Sequence, residues 1–205
     1  MRIKQRCLSN VRHAIKLGAL AVCIVSVFCA GCGKREDGFR FVVFDNGSYL
    51  ADIVVPEKMG GVEKYAVEEL VYHFKKAFGK APQVVSEANC KAQAYPFHIY
   101  IGATKAASAA GLPVGDLADE EHCVKTVGNG LYLLGGDGDT TYEETLDVMK
   151  VAKRGTLYAV YDFLEEEMSV RWLWPGELGE VIPKRTEFSV GALSRRAVEP
   201  MSVRH

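Results

Sequence analysis

Two tryptophans set two residues apart, Trp172 and Trp174 in the run Val170-Arg171-Trp172-Leu173-Trp174-Pro175-Gly176, are the side chains with the most chemical potential in this chain. In an extended strand, residues i and i+2 point to the same side. Two indoles on one face either stack a sugar ring or form a large apolar surface packed on a neighbour. The other candidates are weaker. Gly135-Gly136-Asp137-Gly138-Asp139 lacks the Gly-Lys-Ser/Thr ending of a phosphate loop. As a calcium loop starting at Asp137, it has Tyr142 where Gly is needed and Val148 where Glu is needed, so it reads as a turn. His73, His98 and His122 share no metal-ligand spacing, and no metal site or cofactor is expected. His73 falls near the apolar stripe of a helix and reads as a hydrogen-bonded structural histidine. Glu165-Glu166-Glu167 reads as a solvated helix end, and no Gly-x-Ser-x-Gly nucleophile elbow occurs.

Cysteines divide into two groups. Cys7, Cys23, Cys29 and Cys32 lie in or beside a leader, whereas Cys90 and Cys123 belong to the body of the chain. In an oxidising compartment Cys90 and Cys123 either form one disulfide or remain two buried thiols. Neither sits in a Cys-x-x-Cys pair, so a catalytic thiol is not expected.

The elements that position these residues follow from periodicity. Phe39–Phe44 and Ala51–Val55 read as strands around the Asp45-Asn46-Gly47 turn, and Val62–Phe78 as a helix with apolar residues at helical spacing and Gly79 as its cap. Gln83–Ser86 and Phe97–Gly102 are strands, Thr104–Ala110 a short helix, and Glu121–Val127 with Leu131–Leu134 a hairpin around Gly128-Asn129-Gly130. Residues 135–154 show no period and read as a long loop. Thr156–Met168 is a second amphipathic helix, followed by short strands at Val170–Trp174, Glu180–Ile182 and Glu187–Val190. The expected class is α/β (α+β): a single mixed sheet with two long helices packed on one face.

Charge sharpens the domain map. The 205 residues hold 25 basic and 26 acidic side chains, but five basic and no acidic ones fall within residues 1–31. From Cys32 onward the balance is 20 against 26, or −6, a poor match to a polyanion, so nucleic acid is excluded as an expected partner. The basic start, the uncharged run Leu17–Ala30 and the small residues Ala30-Gly31 before Cys32 make residues 1–31 a signal peptide. Small residues just before a cysteine resemble a bacterial lipobox, with Cys29 where Leu is usual. Cys32 is then lipidated and anchors the chain to a membrane; cleavage after Ala30 or Gly31 would instead release it. Residues 32–38 form a polar tether, 39–190 the domain, and 191–205 the start of a linker.

Several blocks together resemble a known domain. They are Ile53-Val54-Val55-Pro56, the helix Glu63–Phe78, Ile99-Tyr100-Ile101-Gly102, Leu131–Gly136, Arg154–Glu165, Val170–Glu177 and Gly179–Pro183. In order and type they resemble the N-terminal, non-catalytic domain that precedes the barrel of α-glucuronidase-like and β-N-acetylhexosaminidase-like glycoside hydrolases, across roughly residues 39–190. The resemblance implies a mixed sheet with packed helices and a role in polysaccharide degradation. It places the catalytic carboxylates in a barrel beyond this domain, so no catalytic residue is carried onto this chain. It also implies that Arg171, Trp172 and Trp174 lie near the barrel interface or substrate cleft. Carbohydrate is then an indirect partner, reached through the barrel. The alternative is a free-standing carbohydrate-binding envelope lipoprotein that uses Trp172 and Trp174.

Overall fold

The computed structural model describes residues 38–91, 94–147 and 153–198. The signal peptide, Cys32, most of the tether and residues 199–205 lie outside the described residues. In chain order the elements are β1 (Phe41–Asp45), β2 (Ser48–Tyr49), β3 (Ala51–Val55), α1 (Gly61–Phe78), β4 (Val84–Ser86), β5 (Phe97–Ile101), α2 (Lys105–Ala109), β6 (Glu121–Val127) and β7 (Gly130–Gly135). There follow α3 (Tyr142–Leu146), α4 (Gly155–Glu166), β8 (Arg171–Trp172), a 3-10 turn at Glu177–Gly179, β9 (Glu180–Val181), β10 (Phe188–Val190) and β11 (Ser194–Val198).

Six strands form the principal sheet in the order β11-β6-β7-β5-β3-β4. β4, β3, β5 and β7 run parallel, while β6 and β11 are antiparallel additions, so the sheet is mixed as expected. Every residue of β3 is buried, the mark of a central parallel strand covered on both faces. On β7 the alternation divides the core cleanly. Leu131 and Leu133 face α1 and α4, whereas Tyr132 and Leu134 face α2. The two long helices therefore share one face, and Phe74 and Phe163 from them are fully buried there.

A second, antiparallel sheet, β10-β1-β2, closes this same core with Phe41, Phe188 and Val190. The Asn46-Gly47 turn, with φ of 47° and 71°, joins β1 to β2. The chain then passes at Ala51 into the principal sheet, because β3, apolar but for Asp52, belongs in its interior.

Two expectations are corrected. Residues 135–154 are not all loop, since Tyr142–Leu146 is helical and capped by a Thr141–Glu144 box. The segment expected to begin a linker carries β11, which pairs with β6 from Ser194↔Lys125 to Val198↔Glu121. Arg195 ties it to Asp162 of α4 at 3.1 Å and to Glu167 at the end of that helix at 2.6 Å, and Arg196 pairs with Glu121. Among the described residues no helix is long and apolar enough to cross a membrane.

Candidate functional site

Val170, fully buried, anchors the entry to the tryptophan segment, and the chain then turns into the short β8–β9 hairpin. Arg171 pairs with Val181 and Trp172 with Glu180. The strand ends at Trp172, shorter than the expected Val170–Trp174, so the alternation argument does not reach Trp174. The loop between the strands is closed by two glycines. Gly176 has φ of 92°, and a Cβ on Gly179 would lie 2.0 Å from the Trp174 carbonyl oxygen, so only glycine fits there.

α1 and α4 supply the platform beneath the hairpin. The Trp172 ring meets His73 edge-on at 5.4 Å and Tyr161 at 5.2 Å between centroids. His73 is buried and its Nδ1 lies 2.8 Å from the Glu69 carbonyl oxygen, the structural role expected of it. Tyr72 donates to Glu180 at 2.9 Å and Lys76 donates to the same oxygen at 3.0 Å, which clamps β9 to α1. Lys76 also donates to the Tyr72 hydroxyl, and these two acceptors hold its ammonium pKa above the usual range. Arg171 turns away from the indoles. Its guanidinium donates to the Glu165 and Val170 carbonyls, both at 2.7 Å, capping the α4 C-terminus where a cation suits the helix dipole. The structure thus brings Arg171, Trp172 and Trp174 onto one hairpin but gives Arg171 a structural bond set.

Beside the exposed Arg171 and Glu177, most of what the hairpin leaves exposed is apolar. Trp172 is 38% exposed, Trp174 55%, Leu173 62% and Leu178 91%, with Val181 beside them at 46%. Large apolar side chains grouped this closely on a well-tied element mark an interaction surface more often than chance exposure does.

A second concave region sits at the carboxyl ends of the parallel strands. β3 leads through α1 to β4 on one side, while β5, on the other side of β3, leads through α2 towards β7. Ligands of open α/β sheets bind where strand order reverses in this way. A crevice of ≈ 300 Å³ there is lined by Gly60, Glu63, Ala103, Gly136 and Asp137, among others. Its two carboxylates are committed to backbone. Glu63 accepts from the amides of Gly60 at 2.8 Å and Ala103 at 3.0 Å, and Asp137 accepts from the Thr156 amide at 2.8 Å. Burial pushes the Asp137 carboxyl up to about 6, the Thr156 hydrogen bonds oppose this, and the Glu63 charge adds to it. Both groups are helix caps, and the pair has the character of scaffolding rather than of an acid and base facing a glycosidic bond.

Cys90 and Cys123 are free thiols. Cys123 lies on β6 and Cys90 beside His98 of β5, with β7 between those two strands. Burial pushes both thiols up, so neither is an activated nucleophile.

No family model matches the chain, and no curated protein matches it. Among solved structures, it is similar to a family GH115 4-O-methyl-α-glucuronidase with specificity for decorated arabinogalactans, at 13% identity and a TM-score of 0.41. The match covers 73% of this chain and 18% of that enzyme.

Proposed function

We propose that the chain is a non-catalytic accessory domain of an exported glycoside hydrolase acting in polysaccharide degradation, of glucuronoxylan or amino-sugar type. In this reading the β8–β9 hairpin is the surface on which the catalytic barrel seats, and lipid on Cys32 holds the protein at the bacterial envelope. One observation carries the proposal: the clamped hairpin, whose Trp172 ring packs on α1 and α4, leaves Leu173, Trp174 and Leu178 exposed beyond it. Leu173, Trp174 and Leu178, at 62%, 55% and 91% exposed, form a group rather than scattered single residues, and a grouped apolar surface is what a docking partner covers. The motif resemblance across residues 39–190 supplies the class of partner.

The purified full chain is expected to turn over neither aryl glycosides nor aldouronic-acid oligosaccharides; turnover would overturn the proposal. The exposure of Trp174 also favours a second reading, direct carbohydrate stacking. Titration of tryptophan emission with xylo- and chito-oligosaccharides separates the two. Saturable quenching lost in Trp174→Ala establishes the carbohydrate-binding lipoprotein, and its absence supports the barrel-seating domain. Labelling with a palmitate analogue in a bacterial host tests the anchor, and label that persists in Cys32→Ala removes it.

A further inference from the structure

On the sheet face opposite α1 and α4, a second group of chemically active side chains converges. The parallel register of β3 and β5 sets Asp52 directly across from His98. Both are buried, 2% and 7% exposed, on the face that also carries Tyr100, Cys123, Tyr132 and Leu134. Asp52 Oδ1 lies 2.6 Å from His98 Nδ1. Cys90, from the connection between β4 and β5, brings its Sγ to 3.9 Å from the same nitrogen. The carboxylate oxygen, the imidazole nitrogen and the sulfur all lie within 4.8 Å of one another.

This geometry is wrong for a thiol nucleophile. A Cys–His–Asp relay needs the thiol on one ring nitrogen and the carboxylate on the other, whereas both face Nδ1 here. Hydrogen bonding accounts for the Asp52–His98 contact, and packing alone would allow the 3.9 Å approach of the Cys90 sulfur. What the three groups add up to is a convergent oxygen, nitrogen and sulfur donor set. Zinc bonds sulfur at about 2.3 Å and nitrogen or oxygen at about 2.0–2.2 Å, which spaces tetrahedral donors roughly 3.3–3.7 Å apart. The sulfur-to-nitrogen separation of 3.9 Å is close to that spacing, whereas the hydrogen-bonded Asp52–His98 pair at 2.6 Å must open by roughly 0.7 Å to admit the ion.

We infer that Asp52, Cys90 and His98 form a binding site for a divalent, zinc-like cation, with water as the fourth ligand. A mixed oxygen, nitrogen and sulfur donor set suits zinc over magnesium or calcium. A groove of ≈ 260 Å³, lined by Cys90, Tyr100, Glu57, Glu87 and Lys105 among others, opens on the Cys90 side of the cluster and gives an ion and its water a path from solvent. Binding ties the β4–β5 connection to the centre of the sheet, a structural role independent of the hairpin and of the proposed function.

The test uses the full chain with leader cysteines Cys7, Cys23, Cys29 and Cys32 changed to serine, titrated with cobalt(II) chloride. One equivalent is expected to produce a sulfur-to-cobalt charge-transfer band in the near ultraviolet. That band should be retained in Cys123→Ser and lost in Cys90→Ser, and His98→Gln should weaken binding at least about tenfold. No band, or a band that survives Cys90→Ser, overturns the site. Should Cys90→Ser not fold, alkylation of the unsubstituted site decides. With zinc chloride at about ten times its Kd, iodoacetamide labelling of Cys90 should slow about tenfold by mass action, with Cys123 as internal reference. Unchanged Cys90 labelling overturns the inference.

Discussion

Asp137 accepts the Thr156 amide at the start of α4, and burial, with Glu63 facing the same crevice, lifts its carboxyl from 3.8 to about 6. The folded chain therefore holds this proton more tightly than the unfolded chain does. The resulting stabilisation is complete below pH 3.8 and is lost as pH rises towards 6. Asparagine keeps an oxygen for the Thr156 amide and removes the charge. Asp137→Asn should accordingly flatten the stability profile between those two values and stabilise the protein above pH 6 by about 1–2 kcal/mol. Urea unfolding across a pH series measures this, and an unchanged slope would contradict it. Nothing in the sequence announced the role, because Asp137 and its helix lie 19 positions apart. The turn at Gly135–Asp139 was legible, but its capping partner was not. The same holds for Asp52, Cys90 and His98, whose meeting depends on strand register rather than on ligand spacing.

Between elements, glycines set how closely the backbone segments approach. Gly155 begins α4 against β7, and a Cβ there would lie 2.4 Å from the Gly136 nitrogen and 2.6 Å from the Glu121 oxygen. Neither atom belongs to a movable side chain, so Gly155→Ala should cost about 2–3 kcal/mol and lower the thermal midpoint. The hairpin makes the opposite case, for it is tied down by polar contacts at the surface. Lys76→Met removes one donor to Glu180 and the bond to Tyr72, which should free the Trp172 edge and red-shift tryptophan emission. Only about 0–1 kcal/mol of stability should be lost, as for exposed ion pairs. An unshifted emission maximum would mean that His73 and Tyr161 alone fix the ring. The long helices and β5 to β7 were readable because apolar periodicity runs their whole length. β11 was not, since Ser194-Arg195-Arg196 is a polar edge strand held by ion pairs rather than by an apolar face. α3 did carry a signal, the Thr141-x-x-Glu144 capping box, which the surrounding polarity obscured.

For the molecule as a whole, the informative contrast is between a core that needs nothing further and a surface that does. Phe74, Phe163, Ile99, Leu131 and their neighbours are buried between α1, α4 and both sheets, so the main core is complete within the described residues. Trp174 and Leu178 take no part in it. Their apolar area therefore contributes little to folding and is available to a partner. Stability and association should then separate. Trp174→Ser combined with Leu178→Ser should leave the thermal midpoint nearly unchanged, within about 0.5 kcal/mol as for ordinary surface substitutions. The same pair should abolish most binding of a hydrophobic dye and any concentration-dependent self-association seen by light scattering. Phe163→Ala provides the internal contrast, costing about 3–5 kcal/mol through the cavity it opens in the core. If the double serine variant instead unfolds at markedly lower temperature, Trp174 and Leu178 are part of the fold and the hairpin is no docking face. If it keeps its stability and loses dye binding, the apolar hairpin is a surface maintained for contact with another body.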